Sequence, residues 1–299
     1  MDLEVPFGGW PILMTPFTPA GAVDWPALEE VMDFYIARKT PGLLALGQAS
    51  EVLDLSDEER YEIARRVAAR CAGKIFSVAV GNYGTTLEEQ AAALLRIRQL
   101  GIDVPVVGLS LLPSGEQLEV QLLRLAELAG VPLGLYELPD PVHRLLTPAQ
   151  VAVLAQSGRY VFMKDTCRDL PAFTAKVAAA RGSPLKIFQA NLQILLESLQ
   201  AGCHGFCGHM AMVAPELMAQ VCDPATPAGV RQAGFEQLLE FQNAMRAEGF
   251  PAAAKYTLSR RGVRLGSACR VKMPHAFTAA NEQALDALLA RRDWFSQIT

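Results

Sequence analysis

An α/β fold, in which eight strand–helix units close into a (β/α)8 barrel of the TIM type with a C-terminal helical extension, is what this sequence predicts. Three observations carry the expectation. The candidate strands are short, continuously apolar runs rather than alternating ones, as in parallel strands buried on both faces. They recur roughly every 25–30 residues, the repeat of one strand plus one helix. They stop after Pro224, which leaves residues 225–299 to read as helices with a loop near Gly262 to Pro274.

Taken in order, the candidate strands are Ile12–Met14, Leu43–Leu46, Ile75–Val80, Val104–Leu109, Pro132–Tyr136, Tyr160–Lys164, Lys186–Gln189 and Gly205–Cys207. The helices between them announce their starts. Ser56 precedes an acidic amphipathic stretch, Thr86 with Glu89 makes a capping box, and Thr147-Pro148 puts a cap residue before a first-turn proline. A doubly wound open sheet would instead want a Gly-rich nucleotide turn after its first strand, and Met14-Thr15-Pro16-Phe17 is not one. Residues 1–224 are therefore expected to form the barrel, and 225–299 to pack on it within one structural unit.

Composition narrows the function class. The chain has 299 residues, of which 51% are hydrophobic and 19% charged, enough for a large core. The net charge of -4, with Lys and Arg scattered, gives no footprint for nucleic acid or an anionic membrane. No basic region followed by an apolar one opens MDLEVPFGGWP, and the apolar runs are too short to span a bilayer. Six cysteines at spacings unlike a disulfide framework read as reduced thiols, so a cytoplasmic enzyme is expected.

In such a barrel the chemistry belongs at the C-terminal strand ends. These present Thr15, Gly47 to Glu51, Gly81-Asn82, Leu111-Leu112, Tyr136, Lys164, Gln189 to Asn191 and Cys207 to His209. Lys164 closes an apolar strand, where desolvation favours a neutral amine able to attack a ketone and form an imine. The alternative is a structural lysine paired with Asp165 or Glu51. Tyr136 ends the preceding strand, within reach of that amine, and a phenol there can move protons. Its alternative is a core tyrosine with a satisfied hydroxyl.

Together these residues resemble the dihydrodipicolinate synthase / N-acetylneuraminate lyase family of class I Schiff-base aldolases. The matching stretches are Gly9–Phe17, Gly47–Glu51, Gly81–Thr86, Tyr136–Pro139, Lys164–Thr166 and Gly202–Gly208, followed by Ala254-Lys255 and Arg270–Pro274. They run collinearly over essentially the whole chain. The resemblance implies the barrel, an imine-forming Lys164 and a catalytic Tyr136. It also implies chemistry without a cofactor or metal, a small 2-oxo acid such as pyruvate or a sugar acid as substrate, and a homotetramer or homodimer. The substrate-binding set expected around Lys164 is Thr15, Gly47, Gln48, Ala49, Ser50, Ala190 and Cys207.

The departures from the family pattern are informative. Where the second strand of family members ends Gly-Thr-Thr-Gly-Glu or Gly-Ser-Thr-Gly-Glu, this chain has Gly47-Gln-Ala-Ser-Glu51. Backbone N–H groups and the Gln48 amide could still hold a carboxylate, with Ser50 supplying a hydroxyl one place later. No tyrosine follows strand four, where Leu111-Leu112 stands. Pro141 falls near the place of the arginine that follows the family's tyrosine motif, with His143 and Arg144 beyond, and Glu137 replaces the common asparagine. Dihydrodipicolinate synthesis is therefore not expected. The expected activity is an aldolase or dehydratase; the alternative is a catalytically reduced homologue that binds a small carboxylate in a regulatory role.

Two further patterns are set aside. Cys203-His204-Gly-Phe-Cys207-Gly-His209 looks like soft metal ligands, but alternation along a strand sends them to opposite faces. Gly81–Thr86 lacks a P-loop lysine, and its threonines serve better as a helix cap. Glu51 is read as a residue that orients a pocket group.

Overall fold

A computed structural model of the chain describes residues 3–273 and 275–291. Pro274 of the Arg270–Pro274 stretch and residues 1, 2 and 292–299 lie outside the described residues. Eight parallel strands form the barrel: β1 (Gly8–Trp10), β2 (Gly42–Ala45), β3 (Phe76–Val80), β4 (Val104–Gly108), β5 (Leu133–Tyr136), β6 (Tyr160–Asp165), β7 (Lys186–Gln189) and β8 (Gly205–Cys207). They are hydrogen-bonded in the order β1-β8-β7-β6-β5-β4-β3-β2. The seam between β1 and β2 is closed by a single bridge, Ile12 to Leu44, with Leu13 N donating to Leu44 O at 2.8 Å.

That seam corrects one expectation. The first strand is Gly8–Trp10, not Ile12–Met14, because Gly8, Gly9 and Trp10 pair with Gly205, Phe206 and Cys207. Two glycines conceal a strand from a hydropathy reading, yet here they let neighbours close in. A Cβ on Gly9 would lie 2.5 Å from Met218, and one on Gly42 would lie 2.5 Å from the Trp10 ring. Trp10 in turn fills the barrel interior, stacked on Phe162 at 5.4 Å and tilted against Phe188 at 4.8 Å. This aromatic plug is the floor beneath the strand tips, and it makes the barrel a packed core rather than a pore.

The helices that follow the strands are α1 (Trp25–Ala37), α2 (Asp57–Cys71), α3 (Leu87–Gln99), α4 (Leu118–Ala129), α5 (Pro148–Gln156), α6 (Leu170–Ala179), α7 (Leu195–Gln200), α8 (His209–Val213) and α9 (Pro215–Cys222). Ser56, Thr86 and Thr147 cap α2, α3 and α5, each in a reciprocal capping box with the residue three places on. Beyond them lie α10 (Ala228–Glu248), α11 (Ala252–Arg260) and α12 (Ala279–Ala290). Helix α10 packs on α9, and α11 on α8, so the extension lies against the barrel's last units. No described helix is long and apolar enough to cross a membrane.

Candidate active site

A cavity of about 600 Å³ opens at the C-terminal tips of the strands. Lys164 and Tyr136 face it from adjacent strands, paired in register across β5 and β6. Lys164 is 2% exposed, and its Nζ lies 4.2 Å from the centroid of the Tyr136 ring. Phe162, two residues earlier on β6, sits on the same inward face in the aromatic plug. Lys164 Nζ makes no hydrogen bond or ion pair among the described residues, because the two candidate acids are committed elsewhere.

Asp165 and Glu137, one residue beyond Lys164 and Tyr136, turn to the outer face. There Lys176 of α6 donates to Glu137 Oε1 and Asp165 Oδ2, both at 2.6 Å, with all three side chains buried. The Glu137 carboxylate also accepts from Leu146 N at 2.9 Å and Thr166 N at 3.0 Å. Burial, and then the Asp165 charge, push the Glu137 carboxyl up to about 7. The acid that replaces the family's asparagine is thus held by a lysine that sequence reasoning passed over.

Glu51 is committed in a similar way. Lys255 of α11 donates to its Oε1 at 2.6 Å, and Arg270 N and Val271 N donate to its Oε2 at 2.6 and 2.9 Å. Arg270 also forks onto Glu59 at 2.6 and 2.7 Å. These bonds fasten the segment before residue 274 to the loop after β2. Glu51 lies in a left-handed conformation, φ 59°, at the turn that ends this loop.

Of the expected substrate-binding set, Gln48, Ala49 and Ala190 line the cavity. Thr15, Gly47 and Ser50 lie buried beneath it and brace the loop. Thr15 Oγ1 donates to Ser50 O at 2.7 Å, while Ser50 Oγ donates to Leu13 O at 2.5 Å and accepts from Gly47 N at 3.1 Å. The Ser50 hydroxyl is therefore turned to backbone, not to the cavity. Gln48 donates its amide to the Asp140 carboxylate. Cys207 is fully buried; burial pushes its thiol up to about 11, opposed by the Lys164 charge. Just before that strand, Cys203 donates to Gly205 O at 3.6 Å and His204 meets Val5 O at 2.7 Å, away from the cavity.

The cavity is completed by His209, one of the strand-end residues expected to line it, and by others that the sequence did not single out. His209 stacks on Phe250 at 4.2 Å. Burial, then the charges of Lys164 and Arg246, press its pKa down to about 3, so it stands as a neutral imidazole. Thr166 Oγ1 donates to Glu137 O at 2.7 Å, which leaves His143 Nε2, 2.7 Å from Thr166 Oγ1, to donate to that hydroxyl. Arg144, the arginine nearest the family's expected place, donates to Pro113 O at 3.2 Å. Gln242 and Arg246 of α10 and Phe250 complete the wall. No local pattern marks them, because their approach depends on how the extension docks.

The model of the dihydrodipicolinate synthetase family matches residues 7–291. The chain is similar to the 4-hydroxy-tetrahydrodipicolinate synthase of Pseudoalteromonas atlantica, 26% identical over 86% of this chain and 88% of that protein. It is also similar to the enzyme of the same name from Laribacter hongkongensis, 28% identical over 90% and 97%. Among solved structures, the prophage protein YagE of E. coli K12 in complex with pyruvate superposes with a TM-score of 0.82 at 23% identity, covering 95% of this chain and 98% of that one. The dihydrodipicolinate synthase of Thermotoga maritima gives 0.84 at 18% identity, over 97% and 100%.

Proposed function

The chain belongs to the dihydrodipicolinate synthetase family, and we propose on that premise that it is a class I Schiff-base lyase, an aldolase or dehydratase acting on a small 2-oxo acid or sugar acid. The observation that carries this reading is Lys164: a buried amine at the cavity wall, 4.2 Å from the Tyr136 ring, with both neighbouring acids bound to other lysines. A lysine kept for structure would hold a carboxylate, as Lys176 and Lys255 do.

In this reading the unprotonated Lys164 amine adds to the C2 carbonyl carbon, and the carbonyl oxygen takes up a proton. The carbinolamine then loses water to give the protonated imine. That imine withdraws electrons from C3, so a C3–C4 bond can break, or a C3 proton can leave ahead of a C4 hydroxyl. Tyr136 moves the protons. Gln48 and the backbone amides of the loop after β2 hold the 2-oxo acid carboxylate; two structural neighbours solved with pyruvate support a ligand of that size.

The same reading places the enzyme in the cytoplasm as a homotetramer or homodimer, in keeping with the family resemblance. The committed Ser50 hydroxyl, the leucines after β4 and the bond that takes Arg144 to Pro113 argue for a substrate other than that of dihydrodipicolinate synthesis. Borohydride reduction in the presence of pyruvate should leave a covalent adduct on Lys164, located by peptide mass spectrometry. No adduct with any of a panel of 2-oxo acids, together with ligand-induced thermal stabilisation, would instead establish a non-catalytic carboxylate binder.

A further inference from the structure

We propose that Arg168 and Arg246 form a second anion subsite, which takes a distal carboxylate or phosphate on the 2-oxo acid whose carbonyl meets Lys164. The proposal rests on the imine reading for the near end of the ligand and on the cavity's charge for the far end.

The cavity wall carries Lys164, Arg168 and Arg246 but no Asp or Glu. Several arginines elsewhere in this protein hold carboxylates: Arg38 and Arg261 share Glu216, Arg66 holds Glu29 and Glu62, Arg70 holds Asp33 and Arg270 holds Glu59. Neither Arg168 nor Arg246 has an ion pair or hydrogen bond among the described residues. Two guanidiniums left without carboxylates on one cavity wall are a site for a divalent anionic group, which the planar fork of arginine binds in bidentate fashion.

The charged groups of the cavity are also close enough to act on one another. His209 feels both Lys164 and Arg246, whereas the charge felt by Arg246 is that of Arg168. Arg168 stands on the exposed loop after β6, and Arg246 comes from α10. A cavity of about 600 Å³ is far larger than a three-carbon acid needs and falls in the range of sites for substantially larger ligands. A 2-oxo acid with an anionic tail spans this arrangement; pyruvate fills one end of it.

The test measures the concentration giving half-maximal borohydride labelling of Lys164. The probes are 2-oxoglutarate, 2-oxoadipate, a 2-oxohexanoate bearing a terminal phosphate and the neutral-tailed 2-oxohexanoate. At least one anionic tail should label at a concentration about 10–100-fold lower than the neutral one, and which tail does so separates carboxylate from phosphate. That ratio should fall towards one in Arg168→Gln/Arg246→Gln and be partly kept in Arg246→Lys. Equal labelling by charged and neutral tails in the wild-type protein, or a ratio that survives the double substitution, overturns the subsite. Arg168→Gln alters only an exposed loop side chain, so its own lowered ratio guards against a folding artefact. Should no 2-oxo acid label Lys164, the imine reading fails by itself. The subsite is then read from thermal stabilisation by inorganic phosphate, which the wild type should show and the double variant lack; no stabilisation, or equal stabilisation, overturns it.

Discussion

The tips of β5 and β6 carry two lysine environments on their two faces. Inside the barrel, Lys164 lies against the Tyr136 ring with no acid beside it. Outside, one residue along each strand, Glu137 and Asp165 share the ammonium of Lys176. Strand alternation alone separates the two sets. The difference teaches that isolation of an amine can be built as actively as a salt bridge: Glu137 and Asp165 stand on the other face of the sheet, held by another lysine. One face carries an amine with no ion pair among the described residues, the other a buried cluster of paired charges.

Substitutions at the two lysines should therefore dissociate activity from stability. Lys164→Met should abolish 2-oxo acid labelling and lower turnover by at least about 10⁴-fold, while stability stays within about 1 kcal/mol of the wild type because no ion pair is lost. Turnover assays and denaturant unfolding on one preparation check both halves. Lys176→Met should do the opposite, costing about 3–5 kcal/mol in urea unfolding by leaving two buried carboxylates facing each other. Near-normal stability in that variant would break the comparison.

Smaller effects sharpen it. Tyr136→Phe should lower turnover about 10²-fold, the lower end of what a positioned proton-transfer group contributes, with unfolding little changed. Glu137→Gln addresses the outer face through pH. The folded chain holds the Glu137 proton more tightly than the usual 4.5 of an unfolded chain, with the carboxyl pushed up to about 7. The stability it contributes is complete below about pH 4.5 and is lost as the pH rises through about 7. Melting temperatures measured from pH 4.5 to 8 should show a shallower decline over that window in Glu137→Gln than in the wild type.

The barrel was legible because continuous apolar runs and helix caps are local signals, read within a few residues. Lys164 and Tyr136 were legible because a polar residue ending an apolar strand is also local. Gly8–Trp10 was hidden, since glycines that permit close approach carry no hydropathy. The partners of Glu51, Glu137 and Asp165 were hidden for another reason: which helix covers which strand end is settled by packing, not by spacing. A faint signal did exist. Lys176 shares the buried side of α6 with Phe173, and Lys255 stands among the buried alanines of α11. A lysine on an apolar helix face asks for a buried acid, though the sequence does not say which. The wall formed by Gln242, Arg246 and Phe250 had no such marker.

The tie between Glu51 and Lys255 joins residues 204 positions apart. At common rates of protein synthesis, about 5–20 residues per second, some 10–40 s separate the appearance of the two partners. For that interval the nascent barrel carries an acid with nowhere to bury it, and the loop after β2 waits in water. The loop after β2 is thus tied down by a part of the chain translated after all eight strands. Ribosome-bound chains stopped before residue 255 would display a barrel whose active-site loop is still open to protease.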